Sequence, residues 1–497
     1  MKKIILALGI LLSIGGMASA QKVELSERDE FIRYESSLLG MDENNYYVLV
    51  GYSYDKKDNY KGTILYTYDK NLKIVDKTNI DEKTREVATD AFVTDNKISM
   101  IRADYNGGKI HCHVIDKATK KCDTKTYFDD NLDRRDRLLL STAKSADDSL
   151  FFAMKTVYNA KDESIKSSKM ILFDNELNEL WQKEYFAPAS SLFLTNDGEV
   201  IAVAHYITDD NNSVVRFTTI NGDDEVYVDE EFQNFRIGDI NVAACNNDEL
   251  IMYGLIKSDD KRLDKIGRTY YKGFFSFTYN LKTRAIGTIN KYDFTADDYK
   301  IIMNQKAGKK LKVADVAFLQ PLEVLPTSDG GVVVAYNPDY ETVIKSQYGT
   351  SMYKSKESVL LWRLRPDGTI AWHNGFRRIM NTGMFENSWY TPHYITETDE
   401  VVFIVEDDLK DKLDNESPVK IVSKSYAYEA SKPAGKLPTR ISMIRFDKDG
   451  NMTKEPLHSE KKMLLVGKHY VLDNGKAVLL YVSNKKEPGG LIRIDIK

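Results

Sequence analysis

The sequence predicts an all-β chain folded as a β-propeller, with eight blades by count and seven as the alternative. Three observations lead there. Hairpin signals recur along the whole chain, two kinds of turn alternate, and turns of the first kind fall about fifty residues apart through the first five units. A period of roughly 40–50 residues carrying four strands marks a propeller blade. One four-stranded sheet buries little alone, whereas sheets packed face to face around an axis cover both faces of their strands.

The clearest hairpin lies at 359–376, Val-Leu-Leu-Trp-Arg-Leu-Arg-Pro-Asp-Gly-Thr-Ile-Ala-Trp-His-Asn-Gly-Phe. Two apolar runs flank a Pro-Asp-Gly turn whose Asp and Gly tolerate tight-turn backbone angles. Turns of the first kind, such as Asn196-Asp197-Gly198 and Ser328-Asp329-Gly330, precede runs such as Val332-Val333-Val334-Ala335-Tyr336. Continuous apolar runs of this length read as strands buried on both faces. Eight such turns occur. Turns of the second kind, among them Asp69-Lys70-Asn71-Leu72, Asp174-Asn175-Glu176-Leu177 and Asp447-Lys448-Asp449-Gly450, number seven. The last unit therefore lacks a fourth strand. Residues 21–34 hold Lys22-Val23-Glu24-Leu25 and Phe31-Ile32-Arg33-Tyr34, either of which suits that place and would close the ring without a free edge. One helix is expected, from Ala296 to about Lys306, as an insertion between units five and six. Thr295 and Asp298 form its capping box, and Gly308 ends it.

Residues 1–20 read as a secretory signal peptide. A basic Met1-Lys2-Lys3 start leads into an apolar core and an Ala18-Ser19-Ala20 cleavage site. Cleavage after Ala20 leaves 21–497 as a single propeller domain, exported to the periplasm or the extracellular space. No later stretch approaches the roughly 18 uninterrupted apolar residues of a membrane helix, so no membrane insertion is expected. Loss of Lys2 and Lys3 takes the formal charge from −5 to −7. That balance argues against nucleic acid as a partner. A monomer is expected. The three cysteines, Cys112, Cys122 and Cys245, make no disulfide framework. Cys112 and Cys122 flank a hairpin turn at 116–121 that sets Ile115, not Cys112, opposite Cys122, so three free thiols are expected.

The repeat resembles bacterial PQQ-type and WD-like β-propellers across the mature chain. In PQQ-type repeats a Trp after the Asp-containing turn docks between blades; Trp181 after Asp174 and Trp372 after Asp367-Gly368 stand in similar places. The resemblance implies a fold, and one shared with periplasmic scaffold propellers; it carries no function.

Catalytic and cofactor signals are weak. Quinone-binding propellers carry adjacent cysteines, which this chain lacks, so no cofactor is expected. Phe235-Arg236-Ile237-Gly238 mimics the sialidase Phe-Arg-Ile-Pro motif but ends in Gly, and reads as a strand start. His111, His113 and Cys122 could share one side of a hairpin and suit zinc, though exposed or packed side chains are the commoner meaning. Glu406-Asp407-Asp408 with Asp411 and Asp414 lacks the spacing of a calcium loop and reads as solvated charge. No catalytic residue and no metal ligand is assigned.

Loop length is the informative asymmetry. The tight turns all belong to one face of the disc. The long segments 258–270, 295–316, 337–357, 374–389 and 406–440 all belong to the other. Long loops on a rigid scaffold are where binding sites are usually built. Aromatic and forked cationic side chains concentrate there: Tyr340, Tyr348, Tyr353, Arg377, Arg378, Phe385, Trp389, Tyr390, His393, Tyr426 and Tyr428. They suit an envelope or extracellular protein or glycan. The equal alternative for the aromatic rings is that they pack on one another to hold the loops down. The expectation is a non-enzymatic binding or scaffold protein. The rival is an enzyme acting on a polysaccharide or small molecule at the central channel, with carboxylates converging from several blades.

Overall fold

The computed structural model describes residues 23–496 apart from 28–35, 55–59, 81–86, 105–108, 129–135, 160, 162–163, 186–188, 190, 211, 234–235, 247, 259–270, 303–318, 347–348, 357, 381–389, 396–397, 409–418, 422–437, 462–463, 466–469, 473–476 and 485–486. Among the described residues the chain forms eight antiparallel sheets and a separate two-stranded parallel pair; seven of the eight are built on four strands that pair in chain order, and the last, over 464–495, takes its fourth strand from the N-terminus. The first sheet runs from Ser36–Met41 to Ile74–Ile80, the second from Val87–Val93 to Cys122–Tyr127, and the third from Asp136–Lys144 to Glu179–Glu184. The fourth runs from Ser191–Leu194 to Asp224–Phe232. The fifth starts at Ile237–Asn246, and its outer strand is split into Ala285–Ile286 and Asn290–Asp293. The sixth runs from Leu319–Pro326 to Ile370–Phe376, and the seventh from Tyr390–Ile395 to Met452–Lys461. First strands of the first and second, third and fourth, fourth and fifth, and sixth and seventh sheets touch one another, which places these strands nearest the axis.

The core is distributed between the sheets rather than inside any one of them. Eight apolar clusters each join two neighbouring sheets, and the eighth of these contacts closes the ring. Tyr46, Val48 and Tyr66 of the first sheet pack with Ala477 and Leu491 of the last. Between the fifth and sixth sheets Trp362 is fully buried and stacks on Phe274, centroids 4.4 Å apart and planes 5° from parallel. Between the fourth and fifth, Phe217 stacks on Tyr279 at 3.9 Å. Aromatic pairs of this kind add about 0.5–1.5 kcal/mol each beyond area burial.

The expected closure by the N-terminal segment is present. Val23–Leu25 pairs antiparallel with Ile492–Ile494 as the fourth strand of the last sheet. Ser26 Oγ accepts from Leu491 N at 2.7 Å, and Glu27 N donates to Leu72 O at 2.9 Å. The clasp thus holds the last sheet and the first together.

The turns show why the repeat reads so clearly. In three second-kind turns the first Asp carboxylate accepts two backbone N–H groups with the same spacing: Asp69 from Asn71 and Lys73, Asp174 from Glu176 and Asn178, Asp447 from Asp449 and Asn451. The fourth residue is left-handed in each, Leu72 at φ +61°, Leu177 at +60° and Gly450 at +83°. A leucine rarely adopts that conformation. Here both leucines are buried in inter-sheet clusters, which offsets the strain. Gly450 has another reason: a Cβ there would lie 2.9 Å from the Trp372 ring. Trp372 itself crosses from the sixth sheet to the seventh and donates its indole N–H to Lys448 O at 3.0 Å. Trp181 joins the cluster between the third and fourth sheets. Both tryptophans dock between blades as the repeat resemblance implies.

The helix is described over Ala296–Ile302, and its expected end near Lys306 lies among 303–318, outside the described residues. Its capping box forms: Asp298 accepts from Thr295 N at 2.7 Å, and Asp298 N donates to Thr295 Oγ1 at 3.3 Å.

Ile115 stands opposite Cys122 and Lys125 opposite Cys112, the register read from the turn, and both thiols are free. The Cys245 side chain lies outside the described residues. Titration with a thiol reagent under denaturing, non-reducing conditions should give three thiols per chain; a value of one would mean a bridge. In the native protein Cys122 should label well ahead of Cys112, which is 1% exposed and pushed by burial up to about 12.

Candidate functional site

Antiparallel order puts the connections between first and second strands, and between third and fourth, on one face of the disc. On this face neighbouring sheets are tied by charge. Lys117 of the second sheet's outer turn bonds Asp42 of the first sheet. Burial alone would raise the Asp42 carboxyl, but the bonds from Lys117, Tyr47 and the backbone of Asn44 and Asn45 bring it down to about 2. Lys97 pairs with Glu176 at 2.7 Å, linking the second and third sheets. Arg363 reaches Asp399 at 2.7 Å and Asp329 at 3.1 Å, linking the sixth and seventh. Short turns and carboxylates already engaged make this face a structural one.

The opposite face carries the long segments, and besides 295–316 with its helix, three of them are built into strands. Strand Val332–Ser346 pairs with its sheet as far as Pro338. It then continues as a ribbon with Gly349–Lys356, from Asp339 opposite Lys356 to Ser346 opposite Gly349. Arg378–Met380, in the link from the sixth sheet to the seventh, pairs parallel with Val419–Ile421, which lies in the long connection of the seventh. The base of that connection is fixed by a buried ion pair: Asp407 Oδ2 accepts from Arg440 Nη2 at 2.6 Å and Nε at 3.1 Å.

Of the residues singled out from the sequence, Tyr340 sits on the ribbon opposite Ser355 and Tyr353 opposite Thr342. Tyr390 and His393 lie on the first strand of the seventh sheet, opposite Val405 and Val402. The side chains of these four lie outside the described residues, as do Tyr348, Phe385, Trp389, Tyr426 and Tyr428 entirely. Arg377 is half-buried. Arg378 is 0% exposed, so its guanidinium is part of the packing and not of the surface expected from the sequence.

Among the described residues the zinc and calcium readings gain no support from geometry. His111 and His113 do share a side, with ring centroids 6.1 Å apart, but their Nδ1 atoms bond Thr126 and Thr124. Asp407 belongs to Arg440, and 411 and 414 lie outside the described residues. Among the described residues no group of three His, Cys, Asp or Glu converges as a metal site. Ile237 is buried at the start of the fifth sheet's inner strand, an ordinary strand opening, while Phe235 lies outside the described residues.

Three side-chain groups were not foreseen. Asp239, at a bulge in the fifth sheet's inner strand, accepts from Leu255 N at 2.6 Å, Tyr336 Oη at 3.1 Å and Asn241 Nδ2 at 3.3 Å. Burial pushes its carboxyl up to about 6 despite those bonds. Asp136, on the third sheet's inner strand, pairs with Lys166 at 2.5 Å. These inner-strand carboxylates are engaged by the protein, and neither is arranged as a free acid or base. Asp90 and Glu323 also sit at inner-strand bulges, with side chains outside the described residues.

The second group is Tyr292, Asp298 and His373, which ties the helix to the sixth sheet's outer strand. The Tyr292 hydroxyl donates to Asp298 Oδ2 at 2.7 Å and lies 2.5 Å from His373 Nε2, so the imidazole donates to it. The third is an exposed stack on the fourth sheet: Arg216, bidentate to Asp229 at 2.7 Å, lies over the Tyr227 ring. None of the three has a sequence signature, because each is assembled from residues on different strands.

No family model matches the chain, and no curated protein sequence is significantly similar to it. Solved structures with a related fold include the WD40 domain of SCAP from fission yeast, 8% identical with a TM-score of 0.40, over 96% of this chain and 94% of that one. An oligogalacturonate lyase from Vibrio parahaemolyticus is 8% identical with a TM-score of 0.36, over 96% and 97%. An acylaminoacyl peptidase from Pyrococcus horikoshii is 9% identical with a TM-score of 0.36; 92% of this chain spans 59% of that one. At this level of likeness the argument for the fold rests on the eight sheets themselves. The chain is a β-propeller.

Proposed function

We propose that the chain is an exported, non-enzymatic β-propeller that binds an envelope or extracellular protein, or a glycan, through the face carrying its long segments. The observation that supports this reading is the contrast between the two faces. One is closed by short turns and inter-sheet ion pairs. On the other, the long segments of the sixth and seventh sheets extend into a ribbon and a parallel strand pair. A rigid ring that elaborates one face beyond what closure needs offers a surface for a partner. The aromatic residues Tyr340 and Tyr353 lie two register steps apart on that ribbon. Tyr390 opens the first strand of the seventh sheet, and Trp389 precedes it in the sequence.

The test is capture on immobilised mature protein from an envelope extract and from a glycan library, followed by calorimetric titration of the purified ligand. Replacing Trp389 and Tyr390 together by Ala should weaken binding at least about a hundredfold, the scale of a lost aromatic hot spot. Gly198→Ala on the opposite face should instead disturb folding, since Gly198 has φ +85°, and leave binding by the folded fraction intact. Normal binding by the Trp389/Tyr390 variant would remove this segment from the site. Turnover of a captured glycan would replace the reading with the enzymatic one.

A further inference from the structure

A propeller exposes one edge per blade at its rim, and each edge is a row of unpaired backbone N–H and C=O groups that invites another strand. Seven of the eight outer strands are blunted in recognisable ways. Ile74–Ile80 carries a register break and Lys77. Cys122–Tyr127 is six residues with Lys125 near its middle. Glu179–Glu184 has a register break and Lys183. The fifth outer strand is split in two. Ile370–Phe376 has a register break and is crossed at Trp372 by the next sheet's turn. Met452–Lys461 contains Pro456 and a register break. Val23–Leu25 is three residues long.

The fourth outer strand, Asp224–Phe232, has none of these devices. It pairs with its neighbour without a break over nine residues, from Asn221 opposite Asp224 to Ser213 opposite Phe232, and holds no Lys, Pro or Gly. It also leaves large apolar side chains in solvent, Val226 40% and Tyr227 59% exposed.

Its two faces differ in chemistry. Strand alternation puts Glu225, Tyr227, Asp229 and Glu231 on one side and Asp224, Val226, Val228 and Glu230 on the other. The first side is held in place by its neighbours. Arg216 grips Asp229 and covers one side of the Tyr227 ring, Lys183 pairs with Glu225 at 3.0 Å, and Asn212 bonds Glu231. On this side three carboxylates meet Lys183 and Arg216, and the second side adds Asp224 and Glu230. The second side has two adjacent valines in its middle.

We propose that Asp224–Phe232 is a strand-addition site for an extended basic segment of a partner protein, with Lys or Arg alternating with apolar residues. The added strand would bond the outward backbone groups of 224–231, which pair with no other strand among the described residues. Its cations would lie beside Glu225, Asp229 and Glu231, and its apolar residues beside Val226 and Val228. Charge complementarity selects this occupant: a second copy of the chain would bring five more carboxylates to the same edge, where like charges directly opposite are destabilising. The site lies on the rim and is separate from the long-loop face.

The test uses full-length mature protein and two synthetic nonapeptides, one alternating Lys and Val, the other of the same composition with its lysines and valines in separate blocks. Fluorescence anisotropy should show the alternating peptide binding at least about tenfold more tightly than the blocked one, with affinity falling as salt rises. Hydrogen exchange should slow at the backbone amides of 224–232 on binding. The variant Glu225→Lys/Glu230→Lys should lose the Lys-Val peptide and gain an alternating Glu-Val peptide, a swap that a misfolded variant would not make. Equal binding of the two lysine peptides, binding without protection of 224–232, or undiminished binding to the charge-reversed variant would each overturn the assignment. So would self-association of the wild type that protects these amides.

Discussion

Deleting residues 21–34 from a chain that begins at residue 21 should lower its melting temperature by roughly 5–10 °C and broaden the transition. The clasp contributes a three-residue ladder to Ile492–Ile494, two bonds between Ser26 and Leu491, and two from Glu27 to the first sheet, at Leu72 O and Ile74 N. At about 1 kcal/mol net for each bond, the loss is on the order of 5 kcal/mol. The location matters more than the number. Each blade contacts only its two neighbours, and the clasp belongs to the junction where the end of the chain meets its beginning. Without it the last sheet keeps three strands, and its edge at Leu491 and Ile492, both fully buried in the intact ring, becomes open to another chain. The truncated protein should therefore also aggregate on heating at lower concentration. A truncation that melts at the wild-type temperature, followed by circular dichroism, would show that the inter-sheet clusters close the ring unaided.

The ring was legible because its signals are local and repeat. An Asp that accepts two backbone amides at fixed spacing leaves the same mark at Asp69, Asp174 and Asp447. A strand buried on both faces, as at 332–336, leaves an unbroken apolar run. Even the missing fourth strand could be inferred by counting turns. The helix start at Thr295 was legible for the same reason, since a capping box is contained within four residues.

What could not be read is whatever depends on side chains from different strands meeting. Asp407 looks like part of an acidic, solvated loop when read along the chain, yet a partner 33 residues away turns it into half of a buried ion pair. Arg378 looks like a surface fork beside Arg377; the fold leaves Arg377 half-buried and buries Arg378 completely. The candidate site suffers most from this limit. Aromatic richness in a loop marks either a contact surface or internal packing, and composition is the same for both. The open edge at Asp224–Phe232 was missed for a different reason. Its acidic residues are an ordinary solvated pattern until the other seven edges are compared with it.

Asp239 gives the second large effect, and its sign follows from the structure. The carboxyl ties two blades together, accepting Leu255 N in its own sheet and the hydroxyl of Tyr336 in the next, where Tyr336 is fully buried. The titratable groups around it are tyrosines. Burial pushes Tyr271 up to about 12, and Tyr336 well above its usual range, so neither ionises between pH 4 and 8. Burial raises Asp239 from 3.8 to about 6. The folded state thus holds this proton more tightly than the unfolded chain does. The stabilisation is fully present below about pH 4 and is lost as pH rises through 6, amounting to about 3 kcal/mol for a shift of roughly two units. Asparagine can keep the two shorter contacts, its carbonyl accepting from Leu255 and its amide donating to the Tyr336 oxygen, and gives up only the 3.3 Å bond from Asn241, without a charge to bury. Asp239→Asn should therefore match the wild type near pH 4 and become more stable than it by about 3 kcal/mol at pH 7.5, with the change concentrated between pH 4.5 and 6.5. Urea unfolding of both proteins across that range measures the difference directly. A difference that stays flat with pH would mean that the Asp239 carboxyl is solvated well enough to ionise normally, and that the bulge places it beside water rather than in the seam between the blades.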